Sequence, residues 1–154
     1  MRRSDKKISE SKIIQEILTK SNICRLAFFD ENYPYIVPLN FGYKDNALYF
    51  HCALEGKKLD LIKKNNKVAF EIEQSHEIIK DEVSCKWTTK YRSIIGNGKI
   101  YIISDKNEKI RGLNIIMQQH GKHDNIYNKN AVKNVFVLKL EIENLTAKQS
   151  GKWE

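Results

Sequence analysis

Cysteine is scarce in this chain: Cys24, Cys52 and Cys85 are odd in number, widely spaced and form no CxxC pair. That excludes a disulfide framework and points to reduced thiols in a reducing compartment. Long apolar runs are missing as well. Nothing approaches the roughly 20 consecutive apolar residues that span a bilayer, and Arg2, Arg3, Lys6 and Lys7 lead into an amphipathic segment, not an apolar signal core. A cytoplasmic protein without a membrane partner is expected. Acidic residues are outnumbered, 19 against 27 Lys and Arg, for a formal net charge of +8. The basic residues are nevertheless scattered between acidic ones, with no Arg-rich helix and no basic stripe interleaved with aromatics, which argues against nucleic acid as a partner. A basic field of this kind would steer an anionic small ligand. Internal repeats and low-complexity tracts are absent, and 154 residues with 41% hydrophobic content suit one domain, 1–154, whose core needs no disulfide or metal.

What is present centres on residues 47–62. Ala47 to Ala53 reads as an aromatic-rich strand, whereas Leu59 and Ile62 stand one helical turn apart, so the period changes at Gly56. This is a strand, a tight turn and a helix start. Such a start leaves backbone N–H groups unpaired at the positive end of the macrodipole, and here Lys57 and Lys58 stand beside them with a glycine that permits close approach of a ligand. The arrangement suits a phosphate, although a basic pair at a helix edge is also simply a solvated face.

Upstream, Ile13, Ile14, Ile17 and Leu18 fall on one face of a helix over 8–21, with Ser9 placed as its N-cap. Residues 23–29 read as a strand, followed by a turn at Asp30, Glu31 and Asn32. From Tyr35 to Tyr43 the faces alternate, and Pro38, unable to donate to a ladder, places this strand at a sheet edge or a local opening. Downstream, Val68, Phe70 and Ile72 mark a strand, residues 73–84 read as a connection with room for a short strand piece, and a strand runs through Gly96 and Gly98 to Ile102. Those glycines indicate a bulge or bend, or close approach of a cofactor. Ser104 is placed to cap a helix containing Ile110, Leu113, Ile116 and Met117, ended by Gly121. Residues 122–134 read as a polar loop, Val135 to Ile142 as the last strand, and Lys148 to Glu154 as a polar tail whose one apolar residue, Trp153, either docks on a partner subunit or hangs free. His120 and His123 have zinc-like spacing but no third ligand nearby, so no metal site is expected.

Three segments, in this order, carry a resemblance: Tyr35-Ile36-Val37-Pro38-Leu39-Asn40, the stretch 47–62, and Tyr91-Arg92-Ser93-Ile94-Ile95-Gly96-Asn97-Gly98. With the N-terminal helix they resemble the FMN-binding split-barrel superfamily, the pyridoxamine 5′-phosphate oxidase-like proteins, and within it the branch of nitroimidazole-resistance proteins, over about residues 8–147. The resemblance implies a mainly β fold with flanking helices, a six-stranded split β-barrel, forming a homodimer with one FMN at each subunit interface.

Carried over by position, Val37, Pro38, Leu39 and Asn40 match the strand whose backbone faces the flavin ring, His51 and Cys52 the place where a strand passes it, and Lys57 and Lys58 an Arg-Lys pair on the FMN phosphate. Arg92 and Ser93 match an Arg-Gln pair, with serine in place of glutamine. His51 is the candidate catalytic residue, since an imidazole beside a flavin can bind a substrate anion or shuttle a proton near neutral pH. The C-terminal segment with which the oxidases bind vitamin B6, a tryptophan flanked by arginines, has no counterpart, because Trp153 is followed by Glu154. The resemblance therefore implies an FMN-dependent oxidoreductase acting on a small planar acceptor, such as a nitroaromatic, in place of vitamin B6 oxidation. The alternative is a flavin or haem carrier of the same fold, for which His51, His76, His120 and His123 are the available iron ligands.

Overall fold

The computed structural model describes residues 4–153. A short β1 (Lys7–Ile8) precedes α1 (Ser11–Lys20), which buries Ile17 and Leu18 and turns its lysines outward. Cys24, Leu26 and Phe28 form the inward face of β2 (Ile23–Phe28), and a turn leads to β3 (Tyr35–Asn40). β4 (Gly42–Lys44) and β5 (Ala47–Cys52) form a hairpin whose turn residues Asp45 and Asn46 both have positive φ, 51° and 56°, as a type I′ turn requires. Then come α2 (Lys57–Lys64), β6 (Lys67–Ile79), β7 (Thr88–Ile103), α3 (Lys106–Gln119), α4 (Lys129–Lys133) and β8 (Phe136–Ser150).

All pairings are antiparallel, in the order β3-β2-β6-β7-β8-β5-β4, with β1 paired to the far half of β8. The sheet thus has eight strands, of which six have six residues or more; β1 and β4 are the short additions to the expected six. Laid flat, β3 and β4 would stand about 29 Å apart at the usual strand spacing. Yet Val37 and Leu39 of β3, Tyr43 of β4, and Phe28, Phe50, Phe70, Ile94 and Leu140 from the strands between share one hydrophobic cluster. The sheet is curled around that core, and α1 and α2 contribute Ile17, Leu18, Leu59 and Ile62 to it. A second cluster lies on the outer face, where Ile115 and Ile116 of α3 pack on Ala47, Tyr49 and Val137. Having the barrel core on one side and α3 on the other explains why β8 starts apolar on both faces.

Pro38 sits on β3, the edge strand at one end of the sheet, where its missing donor costs no ladder bond on the open side. Gly96 and Gly98 belong to the curvature. A Cβ at Gly98 would lie 2.0 Å from the Glu141 carbonyl oxygen, and one at Gly96 2.4 Å from the Phe70 ring. Next to Gly98 the register slips: Asn97 opposes Asn144 while Gly98 opposes Ile142, leaving Glu143 bulged.

That bulge corrects one expectation, because β8 continues to Ser150. Leu138, Leu140 and Ile142 face inward before the bulge, Leu145 and Ala147 after it, so the alternation changes phase and the pattern reads as a strand ending at Ile142. A register shift between Gln74 and His76 hides the second half of β6 in the same way, and Glu73, Gln74 and His76 to Ile79 all pair with β7 where a connection with no more than a short strand piece was expected. Two caps also move by one residue. Glu10, not Ser9, occupies the N-cap of α1, and Asp105, not Ser104, caps α3 by accepting from the Glu108 N–H. The polar loop 122–134 contains α4, capped by the Asn128 side chain.

Candidate functional site

At one end of the barrel the chain leaves β5 at Cys52 and enters α2 through Gly56, whose φ of 133° is a conformation that side-chain-bearing residues rarely adopt. No side chain caps this helix. Its first N–H groups therefore face outward, at the positive end of the helix, beside two lysines. Lys57 is committed: its Nζ lies 2.6 Å from the Asp30 carboxylate and 5.1 Å from the centre of the Tyr35 ring. The hydrogen bond from Lys57 holds the Asp30 carboxyl below its usual range, and Asp30 in turn raises Lys57. A weaker contact, Lys64 to Glu31 at 3.8 Å, adds to the pinning of the β2–β3 turn against α2. Lys58, by contrast, is half-buried and makes no ion pair among the described residues. Its charge acts on Cys52, whose thiol burial pushes up more strongly than Lys58 lowers it. Cys52 is thus a buried protonated thiol, not a poised nucleophile.

His51 alternates outward between buried Phe50 and Cys52, opposite Val137 of β8, and accepts or donates no hydrogen bond among the described residues. On β3, Val37 and Leu39 face the barrel core while Pro38 and Asn40 are exposed, and the Asn40 amide donates to the Asn22 carbonyl at 3.0 Å.

Arg92 and Ser93 lie elsewhere. Arg92 pairs with Gln74, six residues along β6 from the Val68–Gly98 pair that adjoins Phe28, so about 20 Å of strand separates it from the Asp30 end. Arg92 is 6% exposed. Its Nη1 donates to Glu16 of α1 at 3.2 Å, its Nε to the Gln149 side chain at 3.3 Å, and the Trp153 ring centre stands 4.1 Å from the guanidinium carbon. Within one chain the candidate residues are therefore spread along the barrel: His51, Cys52, Lys57 and Lys58 lie near α2, Arg92 and Ser93 near α1, and β3 runs between the two ends, with Leu39 at the level of Ile94 and Asn40 opposite Ile23.

Three features of this geometry escaped the sequence reading. Asp30 appeared only as a turn residue, and no spacing links it to Lys57. Beside it an apolar cleft of about 230 Å³ is lined by Ala27, Phe28, Phe29, Asp30, Pro34 and Ala69. The available signal was Phe28-Phe29: a strand that turns one inward must turn the other out, and Phe29 is 65% exposed. Trp153, read as part of a polar tail, covers Arg92 of its own chain, its indole N–H donating to the Ser150 carbonyl.

A curled antiparallel sheet flanked by helices, with an uncapped basic helix start at one end, defines a split β-barrel. The family model described as pyridoxamine 5′-phosphate oxidase matches residues 10–149, and the chain belongs to that family. Among solved structures it is similar to a candidate 5-nitroimidazole antibiotic resistance protein from Bacteroides thetaiotaomicron, with 32% identity over 92% of this chain and 85% of that one and a TM-score of 0.82. The fold also matches a flavocytochrome from Azotobacter vinelandii, at 13% identity over 99% of this chain and 72% of that one, TM-score 0.83. An FAD- and haem-binding protein from Mycobacterium smegmatis is alike at 18% identity over 96% of this chain and 75% of that one, TM-score 0.83. No curated protein matches the chain significantly. No helix among the described residues is long and apolar enough to cross a membrane.

Proposed function

We propose that this chain is an FMN-dependent reductase of a small planar acceptor, of the nitroaromatic kind, acting as a cytoplasmic homodimer. The observation that carries the reading is the α2 start: a helix without a side-chain cap and an unpaired, half-buried Lys58, with an apolar cleft beside Asp30, the partner of Lys57. That is a set of donors fitted to a phosphate beside walls fitted to a flat ring. Membership in the family and the similarity to the Bacteroides thetaiotaomicron protein support it.

In this reading Lys57, Lys58 and the α2 N–H groups hold the phosphate, and β3 offers its open edge at Val37 to Asn40 to the ring. Bound FMN would supply hydride or electron transfer. His51, exposed and free of hydrogen bonds, binds an acceptor anion or passes it a proton. Ser93 reaches the same site from a second subunit, since it lies far along the barrel in its own. A partner is favoured by the outer faces of β2, β3 and β7, where Phe29, Ile36 and Ile95 are 65%, 62% and 57% exposed around small Ala27 and Ala69.

The visible absorption spectrum of the purified protein, before and after incubation with excess FMN and desalting, tests this directly. Retention of about one FMN per chain is expected, followed by turnover with nitroaromatic or quinone acceptors. A colourless protein that refuses FMN rejects the reading, and a haem titration then tests the carrier alternative. Ile95→Glu is expected to yield a monomer by light scattering and to lose FMN retention.

A further inference from the structure

Two cations are buried among the described residues, Arg92 and Lys109, and they are treated differently. Arg92 has Glu16 and Gln149; Lys109 of α3, also 6% exposed, has no carboxylate within ion-pair reach and no hydrogen-bond partner for its ammonium among the described residues. Its ammonium lies 5.8 Å from the centre of the Phe136 ring. Its stem is buried, but its ammonium is not among the fully enclosed, unpartnered polar atoms of the described residues, so the charged head opens toward the cleft beside it.

Lys109 lines a cleft of about 420 Å³ between α3 and α4, together with Ser104, Lys106, Lys129, Val132 and Lys133. Four ammonium groups border it and no carboxylate does. The acids nearby on α3 are occupied elsewhere: Asp105 accepts the Glu108 N–H as helix cap, and the Glu108 carboxylate faces Arg111 at 4.0 Å. The cleft is separate in the chain from Lys57 and Lys58, although Phe136, beneath Lys109, pairs with Cys52 of β5.

We infer that the α3–α4 cleft binds a small phosphate-bearing anion, with Lys109 as its buried contact and Lys106, Lys129 and Lys133 closing around it. The lining favours phosphate over carboxylate. Lysine ammonium groups act as point charges that suit a compact multivalent anion, whereas planar carboxylates are best matched by the guanidinium fork, which is missing here. The Ser104 hydroxyl can donate one neutral bond, and Val132 gives the organic part of a phosphorylated metabolite an apolar wall.

Calorimetric titration of the full chain with inorganic pyrophosphate, at low ionic strength in a phosphate-free buffer, decides the matter. In the Lys57→Ala/Lys58→Ala background, which removes the proposed α2 phosphate site, a saturable one-site isotherm is expected, and it should weaken at least tenfold when Lys109→Met or the surface pair Lys129→Ala/Lys133→Ala is added. Absence of saturable binding to the unmodified chain overturns the proposal, as does binding that neither cleft variant weakens. Loss of the isotherm in Lys57→Ala/Lys58→Ala assigns the heat to the α2 site and overturns it as well. Should Lys109→Met fail to fold, the exposed double variant decides alone.

Discussion

Arg92 and Lys58 both entered as candidate cofactor cations, yet their surroundings are opposite. Arg92 is closed over by its own chain, with Glu16, Gln149 and Trp153 taking its guanidinium on three sides. Lys58 stands half-buried at an uncapped helix start without a counter-charge among the described residues. A cation completed within the fold holds the fold together, while one left incomplete in a preformed setting is available to a ligand. Substitution should separate the two, in stability at one end of the barrel and in affinity at the other.

The largest expected effect is at the closed end. Arg92→Met removes two charge-assisted hydrogen bonds and the ring contact, and should lower unfolding free energy by about 2 kcal/mol in urea titrations. Glu16 is 34% exposed and can be rehydrated, which keeps the loss below that of a fully buried pair. FMN affinity per folded chain should change much less. A variant of unchanged stability would show that the Arg92 contacts are not structural. Lys58→Ala is the converse: an unchanged urea midpoint but FMN binding weakened about tenfold, about 1.4 kcal/mol, by flavin fluorescence quenching. Lys57→Ala should weaken it less, because Lys57 already answers Asp30. Equal effects of the two lysines would contradict the distinction between a paired and an unpaired cation.

Trp153→Ala comes next, at about 1 kcal/mol of stability, from the cation–π contact over Arg92 and the lost cover. The effect should disappear in an Arg92→Met background, since the two side chains act as one unit. Additive losses in that double-variant cycle would detach Trp153 from Arg92.

The same contrast shows what was legible beforehand. The edge position of β3 followed from Pro38, the helix start from Gly56-Lys57-Lys58, and the core strands from period-two alternation at Cys24-Leu26-Phe28 and Val68-Phe70-Ile72. The hidden parts are those where one bulged residue changes the phase, after Gln74 and at Glu143, because a pattern of period two carries no information across an inserted residue. Partners distant in sequence were equally hidden. Nothing local tells that Arg92 meets Glu16, that Trp153 folds back on it, or that Asp30 engages Lys57, and these contacts decide which cation is closed and which is open.

Asp30→Asn gives the smallest effect but the clearest sign. It removes a carboxylate from the edge of the apolar cleft and releases Lys57, so FMN should bind about threefold more tightly, about 0.6 kcal/mol. The pH dependence follows from the same pair. Because Lys57 holds the folded-state Asp30 carboxyl below its unfolded value, the pair's contribution is fully present above that ordinary value and fades as the pH falls through the lowered one. Thermal unfolding scanned from pH 6 to pH 2 should therefore show a shallower acid-side loss in Asp30→Asn than in the unmodified chain, with Lys57 charged throughout. The pair is exposed, so the difference in melting temperature is small and should shrink further in salt. Weaker FMN binding by Asp30→Asn would mean instead that Asp30 orients Lys57 toward the phosphate, and the two lysines would then work as one site.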